Sequence, residues 1–100
     1  MVSTHVIAVR KAEIETRSLI ECKRYDPTRN SVGVKIVREL HGVVTSQGAT
    51  NGIIATTSYF TRKAKQHIEQ NPWQLEGRDL DGVMSWVRKY LHLRAVDRKL

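Results

Sequence analysis

The chain is poor in the features that announce a class. A single cysteine, Cys22, among 100 residues excludes an intrachain disulfide and a cysteine-based zinc cluster. No run approaches the roughly 18 consecutive apolar residues of a membrane span. The N-terminus lacks the basic-then-apolar order of a secretory signal, so a cytoplasmic protein without a membrane partner is expected. There is no internal repeat, no Gly-rich phosphate loop and no nucleophilic-serine elbow. Four histidines, His5, His41, His67 and His92, lie far apart in sequence without metal-ligand spacing, and structural or surface roles are the expectation for the last three. Acids are also few. Ten Asp and Glu face seventeen Lys and Arg, a net charge of +7, which favours a polyanionic partner. The basic residues do not form one stripe opposite a bulky apolar face, which places nucleic acid ahead of a membrane surface.

What is present suits one compact domain. A hydrophobic content of 40% over 100 residues supports one core, giving a single domain over residues 1–100 with 91–100 as a frayed tail. Val6 to Val9 is a short run of β character, and the charged segment Arg10 to Arg17 separates it from Ser18-Leu19-Ile20, which reads as a hairpin. A turn centred near Ile14 sets Ile7 opposite Glu21 and His5 opposite Lys23, so that His5, Glu21 and Lys23 share a face. Asp26 to Asn30 is a loop, and Ser31 offers a helix N-cap. Val34, Ile36, Val37, Leu40, Val43 and Val44 then recur at helical spacing until Gln47-Gly48 ends the helix. Ile53 to Thr56 reads as a strand buried on both faces. Thr61 caps a helix to about Gln70 with Ala64 and Ile68 inward. Trp73 to Glu76 is a short strand, and a last helix from near Asp79 carries Leu80, Val83, Met84, Val87 and Leu91 as its apolar stripe.

Two places carry chemistry. In Leu19-Ile20-Glu21-Cys22-Lys23-Arg24-Tyr25, alternate residues of an extended segment share a face. Glu21 and Lys23 therefore project together while Ile20 and Cys22 point the other way, Cys22 as a buried thiol. A carboxylate that can hold a divalent cation beside an amine that can orient water is what phosphodiester hydrolysis requires. A solvated strand face with a minor ion pair is the plainer reading of an isolated E-x-K triplet. The second place is the strand, polar loop and helix N-terminus around Thr57-Ser58, where exposed amides and the helix dipole favour phosphate and the two hydroxyls can donate; hydroxyls that merely satisfy local backbone groups are the alternative. Lys35, Arg38, Arg62, Lys63 and Lys65 are candidates for DNA-backbone contacts.

From Val6 to about Leu91 the chain resembles the Mrr-like restriction endonucleases, the family behind type IV modified-DNA restriction. The resemblance rests on Val6-Ile7-Ala8, Ile20-Glu21-Cys22-Lys23-Arg24-Tyr25, Val32-Gly33-Val34, Val37 to Val43 and Gly52 to Thr61, in that order and spacing. It implies the restriction-endonuclease-like α/β core of the PD-(D/E)xK superfamily: a central mixed sheet flanked by helices, here lacking the family's first helix and strand. It implies Glu21 and the Cys22 carbonyl as Mg²⁺ ligands and Lys23 as the catalytic lysine. The family aspartate of the first strand falls on His5, a poor ligand for a hard ion. Impaired cleavage, a softer ion such as Mn²⁺ supported by His5, or a homodimer partner that contributes missing groups would each follow. A metal-dependent DNA endonuclease is the first expectation. A non-catalytic DNA-binding or assembly module and a Holliday-junction resolvase are the alternatives.

Overall fold

A computed structural model of the chain describes residues 2–11 and 14–98, with side chains at position 8 and positions 14–95. Four strands form one mixed sheet in the order β1-β2-β3-β4: β1 (Val2–Lys11), β2 (Ile14–Lys23), β3 (Asn51–Thr56) and β4 (Leu75–Arg78). β1 and β2 are antiparallel, whereas β2, β3 and β4 run parallel. Each parallel strand is followed by a helix: α1 (Val34–Ser46), α2 (Arg62–Gln70) and α3 (Leu80–Arg98). This is the expected α/β architecture, a mixed sheet flanked by helices. None of the described helices is long and apolar enough to cross a membrane.

The register of β2 against β3 sets Leu19 beside Gly52, Glu21 beside Ile54 and Lys23 beside Thr56, and Gly52 in turn pairs with Leu75. Those residues face α1 and α2. Buried Leu19, Ile54 and Leu75 meet Val37, Leu40 and Val44 of α1, Ala64 of α2, and Val32 and Phe60 from the connections. Each fully buried aliphatic or aromatic side chain contributes about 1.5–3 kcal/mol, so this layer holds most of the apolar stabilisation. α1 approaches the sheet closely because Gly52 has no side chain: a Cβ there would lie 2.7 Å from Val44 Cγ2 and 3.0 Å from Leu40 Cδ2.

Several local expectations hold. Thr61 caps α2 by accepting from the Ala64 amide at 3.2 Å. Gln47 ends α1 and Gly48, at φ 62°, turns the chain out of it, a conformation that glycine adopts without steric cost.

Others need correction. The hairpin pairs Val2 with Lys23, Thr4 with Glu21 and His5 with Ile20, three residues away from the expected register. Its strands continue through the charged segment, up to Lys11 and from Ile14. The β2 arm is exposed from Ile14 through Arg17, so charge there costs no burial and does not end the ladder. Ser31 does not cap α1. The Val32 backbone is committed to Tyr59 and Thr61, so the chain stays extended until Gly33, which is the N-cap and makes no side-chain capping bond. β3 is sealed on one face only: Gly52, Ile54 and Thr56 are buried, Ile53 and Ala55 half-buried. β4 begins at Leu75, leaving Trp73 90% exposed. Cys22 is half-buried rather than a core thiol. α3 stays helical through the supposed tail as far as Arg98. Met84, Val87 and Leu91 of its apolar stripe are exposed, because α3 packs on the sheet chiefly along β3 and β4 and sparsely there.

Two glycine replacements should have opposite signs. Gly52→Ala should destabilise by about 1–3 kcal/mol through overpacking against Val44 and Leu40. Gly42→Ala, at a position on α1 with nothing within 4 Å of the added Cβ, should stabilise by about 0.5–1 kcal/mol. Urea unfolding of both variants against wild type reads the difference.

Candidate functional site

Alternation along β2 delivers Glu21 and Lys23 to the face covered by α1 and α2, and there they meet: Lys23 Nζ lies 3.2 Å from Glu21 Oε1, with side-chain exposures of 10% and 15%. Leu19, Ile54 and Thr56 occupy neighbouring positions on the same face. Cys22 belongs to the opposite face. The backbone register groups position 5 with Ile20 rather than with Lys23, which corrects the expected alignment of His5 with the pair; the His5 side chain lies outside the described residues. Among the described residues no three His, Cys, Asp or Glu side chains converge as a ligand group.

The carboxyl ends of the three parallel strands are stitched together by their loops. The Lys23 carbonyl accepts from Thr56 Oγ1 at 2.8 Å and from the Thr57 amide at 3.2 Å. Thr57 Oγ1 accepts from the Tyr25 amide at 3.0 Å and donates to the Tyr25 carbonyl at 2.8 Å. Ser58, fully buried, donates its hydroxyl to the Asn30 carbonyl, and its own carbonyl accepts from the Leu80 amide at 2.8 Å at the start of α3. Thr57 and Ser58 are therefore tie-points of the loops. This corrects their assignment as phosphate donors, since an O–H group has one proton to give and each is already given.

The helix N-termini at this edge carry the charge. Neither α1 nor α2 has an acid in its first turn, and Lys35, Arg38, Arg62, Lys63 and Lys65 are all exposed there. Positive partial charge at the two helix starts adds to these side chains. The ligand crevice of a parallel α/β sheet lies outside the carboxyl ends of its strands, and Lys23 is the last residue of β2.

The family model Mrr_cat, described as restriction endonuclease, matches residues 4–84. The chain belongs to the Mrr_cat restriction endonuclease family. Among solved structures it is similar to the DNA modification-dependent restriction endonuclease AspBHI, at 26% identity and a TM-score of 0.69 over 89% of this chain and 22% of that one. The chain thus spans about a fifth of that neighbour's length. No curated protein matches it.

One cluster of this Mrr_cat domain was invisible in the sequence. His41 of α1 and His67 of α2, twenty-six positions apart, place Nδ1 and Nε2 3.0 Å from one another, and His41 Nε2 lies 2.6 Å from Gln74 Oε1. Their positions along the two helices gave no spacing signal because the contact depends on how α1 and α2 pack. Burial, then the fields of His41 and Arg38, hold the His67 pKa below its ordinary value.

An unfolded imidazole titrates near about 6.5, so the unfolded chain binds this proton more readily than the folded one. The stability linked to His67 is complete above about pH 6.5 and is lost as pH falls through the window between that value and the lowered folded one. The thermal midpoint should fall between neutral and mildly acidic pH, with a shallower fall in His67→Gln; equal slopes for the two proteins would remove the ring from the linkage.

Proposed function

We propose that this chain is a DNA endonuclease domain that hydrolyses phosphodiester bonds with the help of a divalent cation, and that Glu21 and Lys23 carry the reaction. The observation behind this reading is their 3.2 Å contact on one sheet face, at the carboxyl end of a parallel strand and within a restriction endonuclease domain. The exposed basic residues around the helix starts support DNA as the partner, because phosphate neutralisation by Lys and Arg dominates nucleic-acid affinity.

In this reading the Glu21 carboxylate and, as the family resemblance implies, the Cys22 carbonyl would supply the oxygen donors. That small set fits a hard ion that keeps most of its waters and takes its remaining ligands from phosphate, so Mg²⁺ is the cation of this reading and Mn²⁺ the alternative. Bound there, it would supply charge neutralisation at the phosphate and a more acidic water. Lys23 contributes three donors at the same point. One holds Glu21, and the others would serve a water and a non-bridging phosphate oxygen. Fixed positive charge then waits where negative charge develops, in a setting that Leu19 and Ile54 keep partly dry. The Thr56 and Thr57 bonds to the Lys23 carbonyl fix the end of the strand, and with it the point from which the ammonium reaches.

A non-catalytic DNA-binding module is the second reading. It is favoured by the count of carboxylates: Glu21 is the one acid that the described positions of β2, β3 and β4 place on this face beside Lys23, since Glu15 shares the face only six residues earlier, in the exposed arm of the hairpin.

Nicking of supercoiled plasmid in Mg²⁺, then in Mn²⁺, tests the first reading. Cleavage should depend on the ion and fall by about 10²-fold or more in Glu21→Gln and Lys23→Ala, with circular dichroism confirming that the variants fold. Equal cleavage in all three proteins removes the pair from the mechanism. DNA binding without cleavage in either ion selects the second reading, and faster cutting of branched than of linear DNA would indicate a junction resolvase. Separately, the combined change of Lys35, Arg38 and Arg62 to Ala should weaken binding to every duplex sequence alike. It should also flatten the plot of log affinity against log salt by about 0.9 per lost phosphate contact.

A further inference from the structure

The structure assigns a second site, built on other residues: we propose that His41 and His67 form a two-imidazole site for a borderline divalent transition ion, with zinc as the fitting case. The two ring nitrogens already aim at one another from 3.0 Å, with the rings at 67° and their centroids 5.2 Å apart. Zinc binds imidazole nitrogen at about 2.0–2.1 Å, and two nitrogens at a tetrahedral angle around it lie about 3.3–3.4 Å apart. Besides an opening of a few tenths of an ångström, each ring must turn by about 35° so that both lone pairs converge on the ion.

The surroundings resemble a built site. The Gln74 amide oxygen can only accept, so the 2.6 Å contact puts the proton of His41 on Nε2 and leaves Nδ1 with its lone pair toward His67. An outer oxygen that fixes the tautomer and orientation of a ligand histidine is the usual support of a metal centre. Both histidine backbones are tied as well, the His41 carbonyl by Thr45 Oγ1 at 3.0 Å and the His67 carbonyl by Asn71 Nδ2 at 2.8 Å. In the free protein His67 donates its Nε2 proton to His41 Nδ1. On binding, that proton moves through water to Nδ1 of the same ring, and Nε2 becomes a ligand with no net proton released.

Beside the pair, a cleft of about 420 Å³ lined by Arg38, His41, Gly42, Thr45, Ser46 and His67 leaves room for water or a small anion on the remaining coordination positions. Imidazole selects zinc, nickel or copper over magnesium, which separates this site from the one at Glu21. Arg38 opposes the cation by its charge and favours an anion as a further ligand. Because the ligands come from α1 and α2, the ion would clip together the two helices that cover the Glu21 and Lys23 face.

Calorimetric titration of zinc chloride into the full chain near neutral pH tests this, with thermal unfolding as the second measurement. An isotherm that depends on the two imidazoles is expected, unchanged in His92→Ala. It should weaken at least tenfold in His41→Ala and in His67→Ala, and about 10–100-fold in Gln74→Ala, and should tighten severalfold in Arg38→Gln. Zinc should raise the thermal midpoint of wild type and leave that of His67→Ala in place. Absence of binding up to about 1 mM zinc, near −4 kcal/mol, would overturn the proposal, as would an isotherm that both histidine variants preserve. Loss of the zinc isotherm in Glu21→Gln would transfer the ion to the first site and overturn it too, whereas plasmid nicking can fail without touching it.

Discussion

A carboxylate and an ammonium withdrawn from water cost several kcal/mol each unless they meet. Glu21 and Lys23, with side chains 15% and 10% exposed, are close to that limit, and their tolerance depends on β2 holding them at one distance on one face. β2 can do so because it is an inner strand, hydrogen-bonded to β1 on one side and β3 on the other. Neither side chain can leave without stranding the other. Leu19 two residues before Glu21, and Ile54 and Thr56 alongside, convert that constraint into packing. The same face that holds the charges also holds the core.

The carboxyl edge of the sheet shows a division of labour among polar groups. Thr56, Thr57 and Ser58 spend their hydroxyls on the carbonyls of Lys23, Tyr25 and Asn30, so loops that would otherwise leave buried backbone unsatisfied are fixed to each other. Attraction for an anion at this edge is left to Lys and Arg and to the helix starts. Those act over about a nanometre at physiological salt and do not require a fixed donor geometry. That suits a partner such as a DNA backbone, which presents charge of one sign at regular intervals.

Much of this was legible in the sequence where a local rule had no rival. Alternation placed Glu21 and Lys23 together, helical spacing gave α1 with Val37, Leu40 and Val44 inward, and the Thr61 hydroxyl was a cap without a competitor. The failures lie where a long-range pairing decided. Ser31 lost its capping role because Val32 pairs with Phe60, twenty-eight positions away. The register of His5 followed from how far the charged hairpin arms extend, and exposed arms carry little apolar pattern by which to align them. Thr57 and Ser58 looked like phosphate donors because no sequence shows which carbonyl lies opposite. His41, His67 and Gln74 became neighbours only through the packing of α1 on α2 and of the following loop against both.

The two sheet faces are unequal, and the inequality bears on function. The face of Glu21 and Lys23 is roofed by α1 and α2 over a continuous buried cluster. The other face has half-buried Ile53, Ala55 and Cys22 and is touched by α3 chiefly along β3 and β4, while Met84, Val87, Tyr90, Leu91 and Leu93 of that helix remain exposed. Local opening follows the thinner packing, so α3 should exchange its amides before β2 does. Phosphoryl chemistry depends on groups held to within a fraction of an ångström, and the strand that carries them is the one with neighbours on both edges and a dense layer above it. A chain spanning about a fifth of AspBHI can therefore keep its candidate catalytic geometry intact even where α3 is thinly covered, because the two are supported by different layers.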